Sequence, residues 1–163
     1  MMTAVKKKVA LGILKSDCGD IGSPEEAEVL VRMLDVVLGE HGPEFIGLSA
    51  PEVNVMKRAA IIRTVEFSIN LINPVILETG DKILSFKETC TSFPDEFANC
   101  LRWDKIVIQN GFDKNPLTFT GIQAILIQHE IDHLNGKVFY DRAIKMAVVR
   151  EGGWDEHPNR LWS

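Results

Sequence analysis

Apolar positions along this chain follow two rhythms, and the rhythm changes from one stretch to the next. Over 24–39 they recur at helical spacing, with Ala27, Leu30, Val31, Leu34 and Leu38 on one stripe. Ser23 before the stripe, Pro24 in its first turn and Glu26 three residues on predict a capped helix start. Strand-like runs follow at 59–65, 69–77 and 83–90, the last two separated by Thr79-Gly80-Asp81, which predicts a hairpin. Runs at 105–112 and 117–120 flank Asp113-Lys114-Asn115-Pro116 and predict a second hairpin. A helix over 121–135 comes next, with Thr120 and Gln123 as its capping box and Gly136 as its terminator. A short helix is expected after Asp141, ending near Gly152, and the tail to Ser163 carries no pattern. The expected fold is α+β, with antiparallel or mixed strands around the 121–135 helix and helices towards both ends.

A chain of 163 residues without repeat or linker is expected to form one domain over residues 1–163. Its apolar share of 45% and charged share of 25% are ordinary for a globular protein. The net charge of −5 speaks against binding nucleic acid through phosphate contacts. Cys18, Cys90 and Cys100 contain no C-x-x-C pair and read as reduced thiols. Lys6-Lys7-Lys8 precedes an apolar run that stops at Lys15, too short for a signal peptide, and no stretch approaches a membrane span. A cytoplasmic, monomeric protein is expected.

Chemistry concentrates in Gln128-His129-Glu130-Ile131-Asp132-His133. Two imidazoles four residues apart share a helix face and can reach one metal ion, and Glu130 lies where it can take a proton from water on that ion. The plain alternative is an amphipathic helix with two surface histidines. Several residues compete for the third ligand. The metzincin continuation holds through Gly136 and then places Phe139 where a third histidine belongs. Glu151 suits a thermolysin-like zinc peptidase, although Gly152-Gly153 after it reads as a helix end. Cys90 would complete an open site of one thiolate and two imidazoles, and adding Cys100 would close it into a structural one.

At this point the chain resembles peptide deformylase, which carries a G-φ-G-φ-A-A-x-Q loop, an E-G-C-φ-S strand end and Q-H-E-x-D-H, in that order. The third motif matches from Gln128 to Leu134, the second at Glu88, Cys90 and Ser92, and the first partly, from Ile46 to Glu52. Leu71-Ile72-Asn73-Pro74 and the run from Gly136 to Arg142 extend the likeness over about residues 25–145. The resemblance implies a hydrolase that removes the formyl group from formyl-methionyl nascent peptides and releases formate. It implies a divalent ion on Cys90, His129 and His133, with Fe²⁺ expected and Zn²⁺ or Ni²⁺ able to replace it. Glu130 would move the proton, and the Thr91 backbone N–H would stabilise the oxyanion together with the side chain at position 52.

Three departures from the motifs bear on the chemistry. Thr91 replaces an apolar residue, and Thr89 a glycine, which puts a left-handed backbone or close substrate approach there in question. Glu52 replaces a glutamine and offers a donor only when protonated, so a weaker enzyme using protonated Glu52 is expected. Helix geometry places Ile122, Ile125 and Leu126 on the face of His129, as walls for a methionine side chain or as plain core. The resemblance adds Ile46 and Phe86 to that pocket, with Glu88 beside it, and Gly47 is suited to pairing with a peptide main chain. Glu88 and Asp132 are candidates to hold the outer ring nitrogens of the ligands, and the resemblance implies that Arg102 pairs with Glu88. Only Arg142, Lys145, Arg150 and Arg160 supply late positive charge, so ribosome docking is not expected. The competing functions are the Glu151 zinc peptidase and a weakly active or inactive relative that binds formyl peptides.

Overall fold

The computed structural model of the chain describes residues 11–150 and 153–156. A one-turn helix α1 (Leu11–Leu14) precedes the long helix α2 (Pro24–His41). Ser23 Oγ accepts the Glu26 backbone N–H at 3.2 Å, as the cap requires. Glu26 reaches one residue further back than expected, accepting from the Gly22 N–H at 2.9 Å.

Three antiparallel sheets follow. The first joins β1 (Gly47–Ser49), β2 (Ala59–Arg63) and β3 (Ser68–Ile72) in that order. The second joins β5 (Lys82–Cys90) to β6 (Phe93–Trp103), β9 (Ala143–Arg150) and β10 (Gly153–Glu156). The third has β7 (Lys105–Gln109) between β4 (Val75–Thr79) and β8 (Pro116–Thr120). Helix α3 (Gly121–Leu134) leads out of β8.

Strand β2 shows why α3 lies where it does. Its Ala59 and Ile61 pack against Ala27, Leu34 and Leu38 of α2, while Ala60 and Ile62 pack against Ala124, Ile127 and Ile131 of α3. A strand buried on both faces thus separates the two helices, each face taking alternate side chains. Ile106 and Ile108 of β7 close α3 from its other side. Phe93, Ala98 and Cys100 of the second sheet pack with Val138, Phe139 and Tyr140 beyond the end of α3. No helix among the described residues is long and apolar enough to cross a membrane.

The α+β fold and the second hairpin stand as expected, and four local expectations are corrected. The 69–77 run is two strands, because Asn73 takes a left-handed φ of 47° and Pro74 follows it without an N–H. Thr79-Gly80-Asp81 is a crossing between sheets, since β4 pairs with β7 and β5 with β6. The segment after Asp141 is strand β9, entered through the 3₁₀ turn Phe139–Arg142, and it covers the free edge of β6. Thr120 stands at the N-cap of α3 but makes no side-chain capping bond. At the other end Gly136 has a φ of +72°, and a Cβ there would meet the Lys15 carbonyl oxygen at 2.7 Å.

Candidate metal centre and active site

Helix α3 is hydrophobic on most sides yet buries Gln128, Glu130, Asp132 and His133. Polar groups are buried only when something receives them. Gln128 meets the second sheet: its Oε1 accepts the Trp103 N–H at 2.8 Å, and its Nε2 donates to the Trp103 carbonyl at 2.8 Å. This clamp, to which the sequence reading gave no role, ties α3 to β6 one residue before the first histidine.

His129 and His133 lie one turn apart, with ring centroids separated by 5.1 Å. Cys90 ends β5 beyond two register shifts, and its Sγ lies 3.3 Å from His133 Nε2. Ligand atoms of Cys90, His129 and His133 all fall within 4.8 Å of one another. The three expected ligands therefore converge. Cys100 does not join them, because its thiol donates to the Phe139 carbonyl at 3.3 Å inside the core. Glu151 lies outside the described residues.

The outer ring nitrogens are treated differently. His129 Nδ1 lies 3.2 Å from Glu88 Oε1, which leaves Nε2 for the centre. Glu88 is fixed by two bonds from Arg102, at 2.7 and 2.9 Å, so its carboxylate supports the histidine. Burial acts to raise the Glu88 carboxyl pKa, but the Arg102 and His129 bonds hold it at about 2. Arg102 also donates to Asp132 Oδ2 at 2.7 Å, and Arg142 makes two further bonds to Asp132 at 3.0 and 3.1 Å. Asp132 therefore holds arginines and not an imidazole. The Arg142 contribution was missed, since nothing in the spacing of residues 132 and 142 signals it.

Glu130 is buried, and its Oε2 has no hydrogen-bond partner among the described residues. Burial, followed by the neighbouring Glu52 charge, raises its pKa well above the usual carboxyl value. The same causes, with Glu130 added, push the Cys90 thiol well up. Burial brings the His133 imidazole down to about 4, leaving it neutral as a metal ligand must be. A thiol, two carboxyl groups and two imidazoles thus crowd one buried spot. Cys90 can become a thiolate there only with a positive countercharge, which a divalent cation supplies. The residues fit a metal of the kind held by one sulfur and two nitrogens.

Glu52 sits beside this centre and is buried. Its Oε1 accepts from Ser49 N at 3.0 Å and Ser49 Oγ at 2.7 Å; its Oε2 accepts from Ser92 Oγ at 2.9 Å and from the Thr91 hydroxyl. Burial acts to raise its pKa, but the His133 ring when it carries a proton, and the Thr91 and Ser49 donors, lower it. Four donors can meet its two oxygens, an arrangement that favours the ionised carboxylate over the protonated donor expected from the motif. Thr89 has no positive φ; the left-handed residue is Lys87, at 54°, within the β5 irregularity.

A cavity of about 220 Å³ opens on the centre. Ile125 and Leu126 line it half-buried, and Ile46 and Ile122 stand exposed at its mouth, 37% and 66% accessible. Ile62, from the α3-facing side of β2, joins them and was missed, because its alternation marks it equally as core. The Phe86 side chain lies outside the described residues. Gly47 pairs with Ile62 in the first sheet, and a Cβ on it would lie 3.2 Å from Glu130 Cδ and closer still to Oε1. That glycine makes room for the carboxylate.

The family model for polypeptide deformylase matches residues 5–148. The peptide deformylase of Buchnera aphidicola is 38% identical over 120 residues, covering 70% of this chain and 78% of that protein. The Carboxydothermus hydrogenoformans enzyme is 34% identical over 156 residues, covering 91% of this chain and 99% of that one. A crystal structure of peptide deformylase from Synechococcus elongatus in complex with actinonin superposes with a TM-score of 0.74 at 29% identity, over 84% of this chain and 78% of that one. With its thiol and paired imidazoles gathered around a buried glutamate, and with likeness over most of its length, the chain belongs to the polypeptide deformylase family.

Proposed function

We propose that this chain removes the N-terminal formyl group of formyl-methionyl peptides by metal-dependent hydrolysis within a single catalytic domain. The observation that carries the reading is the meeting of Cys90, His129 and His133 donor atoms within 4.8 Å, beside a buried Glu130. These three residues would hold one divalent ion, for which we favour Fe²⁺; a donor set of one sulfur and two nitrogens also accepts Zn²⁺ or Ni²⁺. Once bound, the ion supplies Lewis-acid polarisation of the formyl oxygen and acidifies a water.

The remaining steps belong to the side chains. Ile125 and Leu126, with Ile46 and Ile122 at the mouth, receive the methionine side chain and place the formyl group over Glu130. Glu130 takes a proton from the attacking water and returns it to the departing amine nitrogen, so that the C–N bond breaks to formate and a free amino terminus. The Thr91 backbone N–H is our candidate donor to the developing oxyanion.

The test is formate release from a formyl-Met dipeptide by Fe²⁺-loaded protein under anaerobic conditions. Glu130→Gln should lower turnover by about 10²–10⁴ while metal content is retained. Metal binding with no formate released by the unaltered chain would reject the reading in favour of a binding protein.

A further inference from the structure

The cavity over the centre opens between the edges of two sheets. β1 ends the first sheet and β5 ends the second, and Gly47 on one and Thr89 on the other line the cavity. The groups the reaction needs are divided between those edges. Gly47 of β1 lies against the Glu130 carboxylate, whereas Thr91 belongs to the turn from β5 into β6. Helix α3 is tied to the second sheet at Trp103 and Glu88, and neither contact reaches that turn.

The turn is poorly made to hold itself. Cys90 pairs with Phe93, so Thr91 and Ser92 form a two-residue hairpin loop. Loops of that length favour mirror-image turns, with a positive φ at the first residue or at both. Neither Thr91 nor Ser92 has one. Their hydroxyls instead donate to one atom outside the hairpin, Glu52 Oε2, with Ser92 at 2.9 Å. Glu52 Oε1 faces the other way, where β1 ends, and accepts from Ser49 N at 3.0 Å and Ser49 Oγ at 2.7 Å. Each carboxylate oxygen thus serves one sheet, and the buried side chain latches them together. An amide has a single acceptor oxygen and would offer an acceptor to one sheet only.

We infer that Glu52 is a positioning residue for the reaction: by gripping the Thr91 and Ser92 hydroxyls it fixes their turn, and so aims the Thr91 backbone N–H at the place where the formyl oxygen takes up charge. The inference rests on the reading above, in which that N–H is the oxyanion donor. A carboxylate that has no proton to donate then holds the group that does. A donor needed only as charge develops acts on kcat and leaves KM alone.

Two substitutions separate the hydroxyls from the N–H. Thr91→Val keeps the shape of threonine without its hydroxyl, Ser92→Ala removes the second grip, and the backbone donor is untouched in both. Thr91→Val should lower kcat on a formyl-Met dipeptide about tenfold, and the double variant about 10²-fold, near the worth of an oxyanion donor, with KM and metal content unchanged. Thr91→Ser keeps the hydroxyl and should recover most of the loss. In the Zn²⁺-loaded full chain, NMR order parameters of the amides at 91 and 92 should fall from about 0.85 to below about 0.6 in the double variant. A kcat kept within about twofold, a loss confined to KM, or order parameters that stay at about 0.85 would overturn the latch while the unaltered chain still released formate. If urea melts show the double variant unfolded, Thr91→Val decides by the same criteria. An unaltered chain that releases no formate would instead sink the reading on which the inference stands.

Discussion

Arg102→Met should cost more stability than any surface change, and its cost should depend on pH. Arg102 is 3% exposed and serves two buried carboxylates, Glu88 and Asp132, across the gap between the second sheet and α3. Removing one partner of a buried ion pair typically costs about 3–5 kcal/mol, because the remaining charge is stranded. The proton linkage of Glu88 gives a second route to the figure. A carboxyl brought from 4.5 to about 2 on folding contributes on the order of 3 kcal/mol, and Glu88 is only 9% exposed, so screening takes little from it.

The sign follows from the direction of that shift. The Glu88 contribution is fully present above pH 4.5, where the unfolded carboxyl is ionised, and is lost as pH falls towards about 2. In Arg102→Met, burial acts on Glu88 without the guanidinium, so its folded pKa rises and acid relieves the variant. The difference between the two proteins should therefore be largest near pH 7 and shrink steadily below 4.5. Urea melts of metal-stripped protein at several pH values measure it. As a control, Arg142→Ala removes a partner whose side chain is 40% exposed, while Asp132 keeps Arg102, and should cost about 0–1 kcal/mol. A penalty for Arg102→Met below about 1 kcal/mol at pH 7, or one that stays flat into acid, would refute this account of the network.

Gly47→Ala places a methyl group against the Glu130 carboxylate and should lower formate release by at least about 10², with metal content unchanged by elemental analysis. Retention of full turnover would mean that Glu130 has slack the structure does not show. Gln128→Leu strands the N–H and carbonyl of Trp103 and should cost about 1–3 kcal/mol in the same urea melts; a loss within error would show that the clamp is dispensable.

Much of this architecture was legible because its signals are local. Helix α2 carries a cap, a proline and a stripe within 18 residues, and α3 carries a chemical motif ending in a glycine that must be left-handed. Strand β6 escaped notice because one of its two partners, β9, is remote and its buried positions include Arg102, a charge compensated from β5 and α3. The expected 79–81 hairpin failed for the same reason: Val75 to Thr79 pair with residues 106–109, which no turn signal can announce. At the site, the motifs named the ligands and Glu130 correctly as neighbours, since i and i+4 on a helix settle two of them. The surroundings of Glu52 were readable only in part: Ser49 is its local capping-box partner, whereas Thr91 and Ser92 reach it from 39 and 40 residues away.

Those surroundings change the meaning of the departures from the family motifs. Taken alone, glutamate at position 52 is a lost amide donor, and threonine at 91 is a hydroxyl where an apolar side chain belongs. In the fold the two residues touch, the Thr91 hydroxyl donating to Glu52 Oε2. A carboxylate has about four lone-pair sites. Ser49 N–H, Ser49 Oγ, Thr91 Oγ1 and Ser92 Oγ provide four donors to fill them. An apolar side chain at 91 would leave one of those sites empty in a buried place, and a glutamine at 52 would set an amide N–H against hydroxyls that now have an acceptor. Each departure thus supplies what the other needs, and the pair is one local solution for holding a negative charge beside Cys90 and His133. A site eroding by chance would have no reason to complete such a set of donors.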